Sequence, residues 1–152
     1  KIKKNIIKNL EKKFILIFTK ELRNSSKVIS SQKVNLKKTI KVYDAIKSLV
    51  PIMKNSLKKG DYKKIGKIFH HHWKLKKQLS KQISNSKIDK IYLNLLKDNS
   101  FIGGKLIGAG GGGFFLMVSN NLKKSILYLR KKKLNFTKFK FTFGGTQIEG
   151  SY

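Results

Sequence analysis

The 152-residue chain predicts an α+β domain, a mostly antiparallel four-stranded sheet with helices packed on one face. Three observations lead there. Short apolar or alternating runs occur at 14–18, 105–107, 114–118 and 136–143. Stretches of helical periodicity lie between the first and second runs and between the third and fourth. No internal repeat or linker divides the chain, and its length suits one domain with a sizeable core.

The elements follow in order. Phe14–Phe18 is wholly apolar and predicts a buried strand. Residues 23–35 are rich in Ser and Asn and read as a loop or a loosely held helix start. From Leu36 to Leu57, Ile40, Tyr43, Ile46, Leu49 and Met53 recur at helical spacing. Pro51 lies inside that run and is expected to kink or split it, because proline lacks an N–H and its ring crowds the preceding turn. Gly60 should end the helix and Asp61 cap the next. In that next helix Tyr62, Ile65, Phe69 and Trp73 form one stripe, widened by Ile68, Leu75 and Leu79. Ser84 or Asn85 can cap a third helix carrying Ile88, Ile91, Tyr92, Leu95 and Leu96, which 98–104 closes. Apolar segments at Lys105–Ile107 and Phe114–Val118 flank a glycine run. Residues 119–121 start a short helix with Leu122, Ile126 and Leu129 inward. The last strand, 136–143, turns Phe139, Phe141 and Phe143 one way and Lys138, Lys140 and Thr142 the other.

The formal charge of +29 raises a nucleic-acid reading. Two features weigh against it. Only Arg23 and Arg130 are arginine, whereas phosphate and base recognition favour the arginine fork. Lysines are also spread along the whole chain, and Lys, Ile and Asn together fill 63 positions against two Ala. That is the mark of a compositionally biased, solvated surface. The chain has no cysteine, which excludes a disulfide frame and thiolate chemistry and points to a reducing cytoplasm. No apolar run approaches membrane-spanning length. The first residue is Lys, so a fragment or processed product is expected.

Seven of the twelve glycines fall between 103 and 113. A Walker loop fails here: Leu106 follows Gly104-Lys105, and Asn99 stands where the first glycine belongs. Gly108, Gly110 and Gly113 match the dinucleotide fingerprint in form, but a strand rather than a helix follows. What remains is a glycine loop between two strands. Such a loop turns backbone N–H groups inward as an anion nest, or admits a phosphate or a neighbouring loop where a Cβ would interfere. The triple histidine 70–72 is not read as a metal site, because consecutive helical residues point about 100° apart. No carboxylate lies near the glycine loop in sequence, and the catalytic residue stays unknown.

The stretch GGKLIGAGGGGFFLMV (103–118) resembles the third conserved motif of the GHMP kinases. Trp73–Ser84 and Ile88–Tyr92 resemble the branch of that family acting on heptose 7-phosphates. Residues 14–32 resemble a strand and T-G-x-x-R segment of the same branch, with Lys20 where Gly is usual, and the final strand is similar too. The family's nucleotide signature, P-x-x-x-G-L-G-S-S, is not found in the chain.

The resemblance implies that residues 1–152 are a single C-terminal GHMP kinase domain of ferredoxin-like fold, without the N-terminal ATP-binding domain. It implies an ATP-dependent transferase that phosphorylates the anomeric hydroxyl of a heptose 7-phosphate. Other substrates of the family, galactose or a mevalonate-type acid, are the alternatives, with a basic nucleic-acid module beside them. Gly108, Ala109, Gly110, Gly111, Gly112 and Gly113 would lie beside the ATP phosphates, and a Cβ at 110–113 would block their approach. Lys105, Lys76, Lys77, Ser80, Ser84 and Arg23 are the candidate substrate contacts. Mg²⁺ would arrive with ATP and be held mainly by the N-terminal half, whose domain is the expected partner. The isolated chain is expected to be inactive.

Overall fold

The computed structural model describes residues 2–21, 25–31, 36–143 and 145. The chain runs α1 (Lys4–Glu11), β1 (Phe14–Phe18), α2 (Ser25–Ser31), α3 (Leu36–Lys59), α4 (Tyr62–Lys77), a 3-10 turn (Lys81–Ile83), α5 (Ser86–Lys97), β2 (Phe101–Leu106), β3 (Phe114–Ser119), α6 (Leu122–Lys131) and β4 (Phe136–Thr137). The sheet order is β2-β3-β1-β4, and every pairing is antiparallel.

The period-2 rule sorts the strand residues between two cores. Ile15 and Ile17 face Met117 and Phe115 across the ladder. All four are fully buried in the larger core with Trp73, Ile88, Leu95 and Leu129, which come from α4, α5 and α6. Phe14 pairs with Val118 and turns to the opposite face, where Leu10 and Ile65 meet it. That face is completed by α1, by Met53 and Leu57 of α3, and by Phe139.

Helix α4 runs along the edge strand β2 and feeds both cores, Ile65 to the smaller and Trp73 to the larger. Glycines make this approach possible. A Cβ at Gly103 would collide with the Gly66 carbonyl oxygen, and a Cβ at Gly66 would stand 2.8 Å from Ile102 Cγ2. Helix caps follow the expected residues. Asp61 accepts from Lys64 N at 2.9 Å, and Asn85 rather than Ser84 accepts from Ile88 N at 2.9 Å.

The observed elements differ from the expected ones in several places. The sequence gives no reading for 4–11, yet α1 forms there and seats Leu10. Pro51 neither splits α3 nor ends it. Pro51 and Lys47 are both exposed, so water can serve the carbonyl that proline leaves unpaired. Strand β2 begins at Phe101, because Gly103 and Gly104 act as packing positions rather than breakers. Strand β4 is only two residues long. Beyond it Phe139 and Phe141 turn onto Phe14, with centroids at 6.3 and 6.2 Å, while Phe143 is 76% exposed. Packing Phe139 into the smaller core, with Phe141 edge-on to Phe14 at the surface, takes the place of a longer edge ladder. Within 23–35 a helix, α2, occupies 25–31.

Candidate phosphate loop and adjoining cavity

The loop between β2 and β3 is built by its own backbone. Its five glycines have φ between +74° and +154°. At Gly112 (φ +154°) a Cβ would collide with the Glu21 carbonyl oxygen, and at Gly110 (φ +120°) it would stand 3.0 Å from Ile83 Cα. Two loop N–H groups serve the protein: Gly111 N donates to Ile83 O at 2.9 Å and Gly113 N to Glu21 O at 3.1 Å. Thr19 closes the far end, donating from both N (2.9 Å) and Oγ1 (2.8 Å) to Gly113 O. Among the described residues, the N–H groups of Gly108, Ala109, Gly110 and Gly112 have no protein acceptor. The loop is therefore pinned by Ile83 and Glu21 while four donors stay available.

Lys76 donates from Nζ to the Gly108 carbonyl, tying the last turn of α4 to the start of the loop. Beside this tie lies a cavity of about 300 Å³ whose walls include Tyr43, His72, Lys76, Lys105, Gly108 and Ala109. His72 and Lys105 also border a second, largely apolar cavity of about 530 Å³ between α3 and α4. Among the described residues no carboxylate lines either one.

Lys105 sits on β2 opposite Leu116, half-buried, with Nζ 3.4 Å from His72 Nε2. Burial lowers its pKa. His72 is pushed down to about 4, first by burial and then by the charges of Lys105 and Lys76. A neutral His72 accepts from Lys105 through Nε2, which leaves its proton on Nδ1. That atom is buried without a partner.

The other two histidines go elsewhere. His71 is exposed. His70 Nδ1 lies 2.9 Å from Tyr92 Oη, which itself donates to Gly104 O at 3.0 Å. A single hydroxyl proton therefore makes His70 Nδ1 the donor to tyrosine. Burial raises the Tyr92 pKa and is the first cause lowering that of His70.

The remaining candidates divide. Lys77 pairs with Asp89 at 2.8 Å, and Ser84 donates to the same Asp89 oxygen at 2.9 Å, which joins α4 to α5. Ser80 caps the 3-10 turn through Gln82 N at 3.0 Å and meets Ser31 Oγ at 2.6 Å. Arg23 lies outside the described residues. The geometry thus gathers Lys76 and Lys105 at the loop and engages Lys77, Ser80 and Ser84 in fold contacts. His72 was missed by sequence reasoning. Its signal was its place one turn before Lys76, at i, i+4 on the same helix face.

No protein-family model matches the chain. Its fold is the one found in kinases of the GHMP family. The mevalonate kinase of Methanococcus jannaschii aligns over 90% of this chain and 42% of its own, with TM-score 0.68 and 23% identity. A putative sugar kinase from Campylobacter jejuni aligns over 93% of this chain and 40% of its own, with TM-score 0.59 and 31% identity. More particularly, the chain is similar to the D-glycero-alpha-D-manno-heptose 7-phosphate kinase of Campylobacter jejuni, 32% identical over 151 residues. That match takes in 97% of this chain and the C-terminal part of the relative, 44% of its length. The chain thus spans less than half of the curated relative it matches.

Proposed function

We propose that residues 1–152 form the C-terminal domain of an ATP-dependent sugar kinase acting on the anomeric hydroxyl of a heptose 7-phosphate. The observation that carries this reading is the pinned glycine loop. It offers four N–H groups without a protein acceptor, and two of their residues, Gly108 and Ala109, border a cavity that among the described residues is lined by lysines and no carboxylate. The similarity to a heptose 7-phosphate kinase supports the choice of sugar.

Phosphoryl transfer is mostly positioning and charge stabilisation. In this reading Gly108, Ala109, Gly110 and Gly112 donate to phosphate oxygens, and Ile83 and Glu21 hold the loop rigid before ligand arrives. Lys76 fixes the loop's first carbonyl, and Lys105 faces the sugar. ATP is the phosphoryl donor. Mg²⁺ comes with it, held by residues outside the described ones, since these include no grouping of three possible metal ligands. The catalytic base belongs elsewhere too. The absence of cysteine and of any helix long and apolar enough to cross a membrane among the described residues fits our placing the protein in the cytoplasm.

The test is phosphoryl transfer by the product of the whole reading frame that contains this chain. ADP release is measured with Mg-ATP and D-glycero-D-manno-heptose 7-phosphate, galactose or mevalonate. Release with the heptose phosphate, and a new phosphate on C1 by ³¹P–¹H coupling, is expected. Release with galactose or mevalonate alone would move the substrate class. No release with any of the three, together with a steeply salt-dependent affinity for DNA or RNA, would replace the kinase reading with a nucleic-acid one. The 152-residue chain alone is expected to release no ADP.

A further inference from the structure

Most lysines in this chain need no explanation beyond its composition, because they are exposed. Lys105 is different. It is half-buried on a strand, within reach of a histidine, and among the described residues no carboxylate lines the cavities it borders. The two ion pairs among the described residues, Lys77–Asp89 and Lys87–Glu21, lie elsewhere. A cation taken partly out of water without a counter-ion costs free energy unless an anion is brought to it. His72 adds a buried Nδ1 with no protein partner. The space between them adjoins the glycine loop without being part of it, and about 300 Å³ has room for a phosphoryl group with part of the sugar attached.

We propose that this cavity is a second phosphoryl subsite, in which Lys105 and His72 hold the phosphate the substrate already carries while the glycine loop takes the one in transit. The inference rests on the kinase reading above and adds to it the residues that select a phosphorylated sugar over a free one. Lys105 supplies the charge. His72 orients Lys105 through Nε2 and acts as a positioning residue. A phosphoryl dianion seated here meets Lys105 from β2 and Lys76 from α4. Tyr43 of α3 forms the opposite wall, and Lys54 and Lys58 of α3 stand along the adjoining cavity.

The experiment compares Lys105→Met, Lys105→Arg and His72→Gln with the parent, in the protein made from the whole reading frame. Each is assayed with heptose 7-phosphate and with the same heptose lacking the phosphate. Lys105→Met should lower the preference for the phosphorylated sugar, as a ratio of kcat/KM values, by roughly 10- to 100-fold, the worth of a charged hydrogen-bonded contact. The loss should appear mainly as a raised KM. Lys105→Arg should recover most of it, and His72→Gln should fall between.

An unchanged ratio in an active, folded Lys105→Met protein overturns the subsite and leaves the kinase reading standing. A raised KM for ATP with no change for the sugar assigns the cavity to a nucleotide phosphate and overturns the substrate assignment. To cover poor folding of the variants, the unmutated protein with ¹³C-labelled histidine is titrated with inorganic phosphate. His72 should move and titrate closer to its ordinary pKa, because an added anion offsets the two lysines. Phosphate that leaves the His72 signal in place sinks the proposal. Phosphate binding at His72 in a protein that phosphorylates no sugar supports the subsite and refutes the kinase reading.

Discussion

Gly103–Gly104 and Gly108–Gly113 look alike in sequence and do different work. The first pair lies inside a strand, buried, at positions where a side chain finds no room. A Cβ at Gly103 meets the Gly66 carbonyl, and one at Gly104 meets Met117 Sδ and the Leu116 carbonyl, the latter at 2.5 Å. The second group lies outside the ladder with φ values that L side chains rarely adopt. Among the described residues it leaves four N–H groups without an acceptor. The first group is glycine for space alone, the second for conformation and, at Gly110 and Gly112, for space as well. The first should answer to stability and the second to ligand as well.

The largest expected effect tests the space argument. Gly103→Ala should destabilise the protein by about 3 kcal/mol, because backbone rather than a movable side-chain tip opposes the new methyl. Urea unfolding followed by circular dichroism measures it. A cost below about 1 kcal/mol would mean that α4 slides freely along β2, and the distinction between the two groups would weaken.

Gly112→Ala comes next. Collision with the Glu21 carbonyl and the φ of +154° should cost about 1–3 kcal/mol. Unlike Gly103→Ala, it should also raise the KM for ATP in whatever fraction folds. Equal ATP affinity in parent and Gly112→Ala would leave the loop as a structural turn and sharpen the comparison the other way.

Much of the fold was legible because its signals are local. The apolar run 14–18, the stripe Tyr62–Trp73 and the caps Asp61 and Asn85 each report on their own neighbourhood. What escaped reading depends on partners distant in sequence. Residues 98–104 read as the close of a helix because glycine usually interrupts strands, and only the passage of α4, at Gly66, over Gly103 reverses that meaning. The strand expected over 136–143 stops at Thr137, and the chain beyond it turns to Phe14, whose ring is available only after α1 and β1 have placed it. At the site, the glycine loop was visible as a motif. The pairing of Lys105 with His72 was not, because it exists only where α4 crosses β2. The run His70–His72 hid the informative residue among two others with different surroundings.

That pairing gives the third prediction, a dependence on pH. His72 is held near 4 in the folded protein, against an ordinary value near 6.5. Below 6.5 the unfolded chain therefore binds more protons at this site than the folded one. Stability is fully present above about pH 6.5 and falls as the pH drops toward 4. Converting the whole shift would overstate the effect for a half-buried ring, and solvent screening leaves about 1–2 kcal/mol. His70 acts in the same direction. Urea midpoints between pH 4 and 7 should slope less in His72→Gln than in the parent. An equal slope in both would show that His72 is solvated and its lysine neighbours ineffective.

The smallest effect concerns a residue that is not glycine where glycine would be easier. Lys20 follows Thr19 and precedes Glu21, the residues that pin the loop, and its φ is +59°. A β-carbon in this left-handed region costs roughly 1–2 kcal/mol relative to the right-handed one. Glycine escapes that cost but loses more backbone entropy on folding, roughly 0.5–1 kcal/mol. Lys20→Gly should thus stabilise the protein by about 0.5–1 kcal/mol, in contrast to the glycine-to-alanine changes in the loop it faces. Because Glu21 O accepts from Gly113 N, relaxing Lys20 should leave that clasp in place and raise the urea midpoint slightly. A lowered midpoint would mean that the lysine makes up for its strained backbone through its side chain, and that the segment 19–21 is held by more than the clasp.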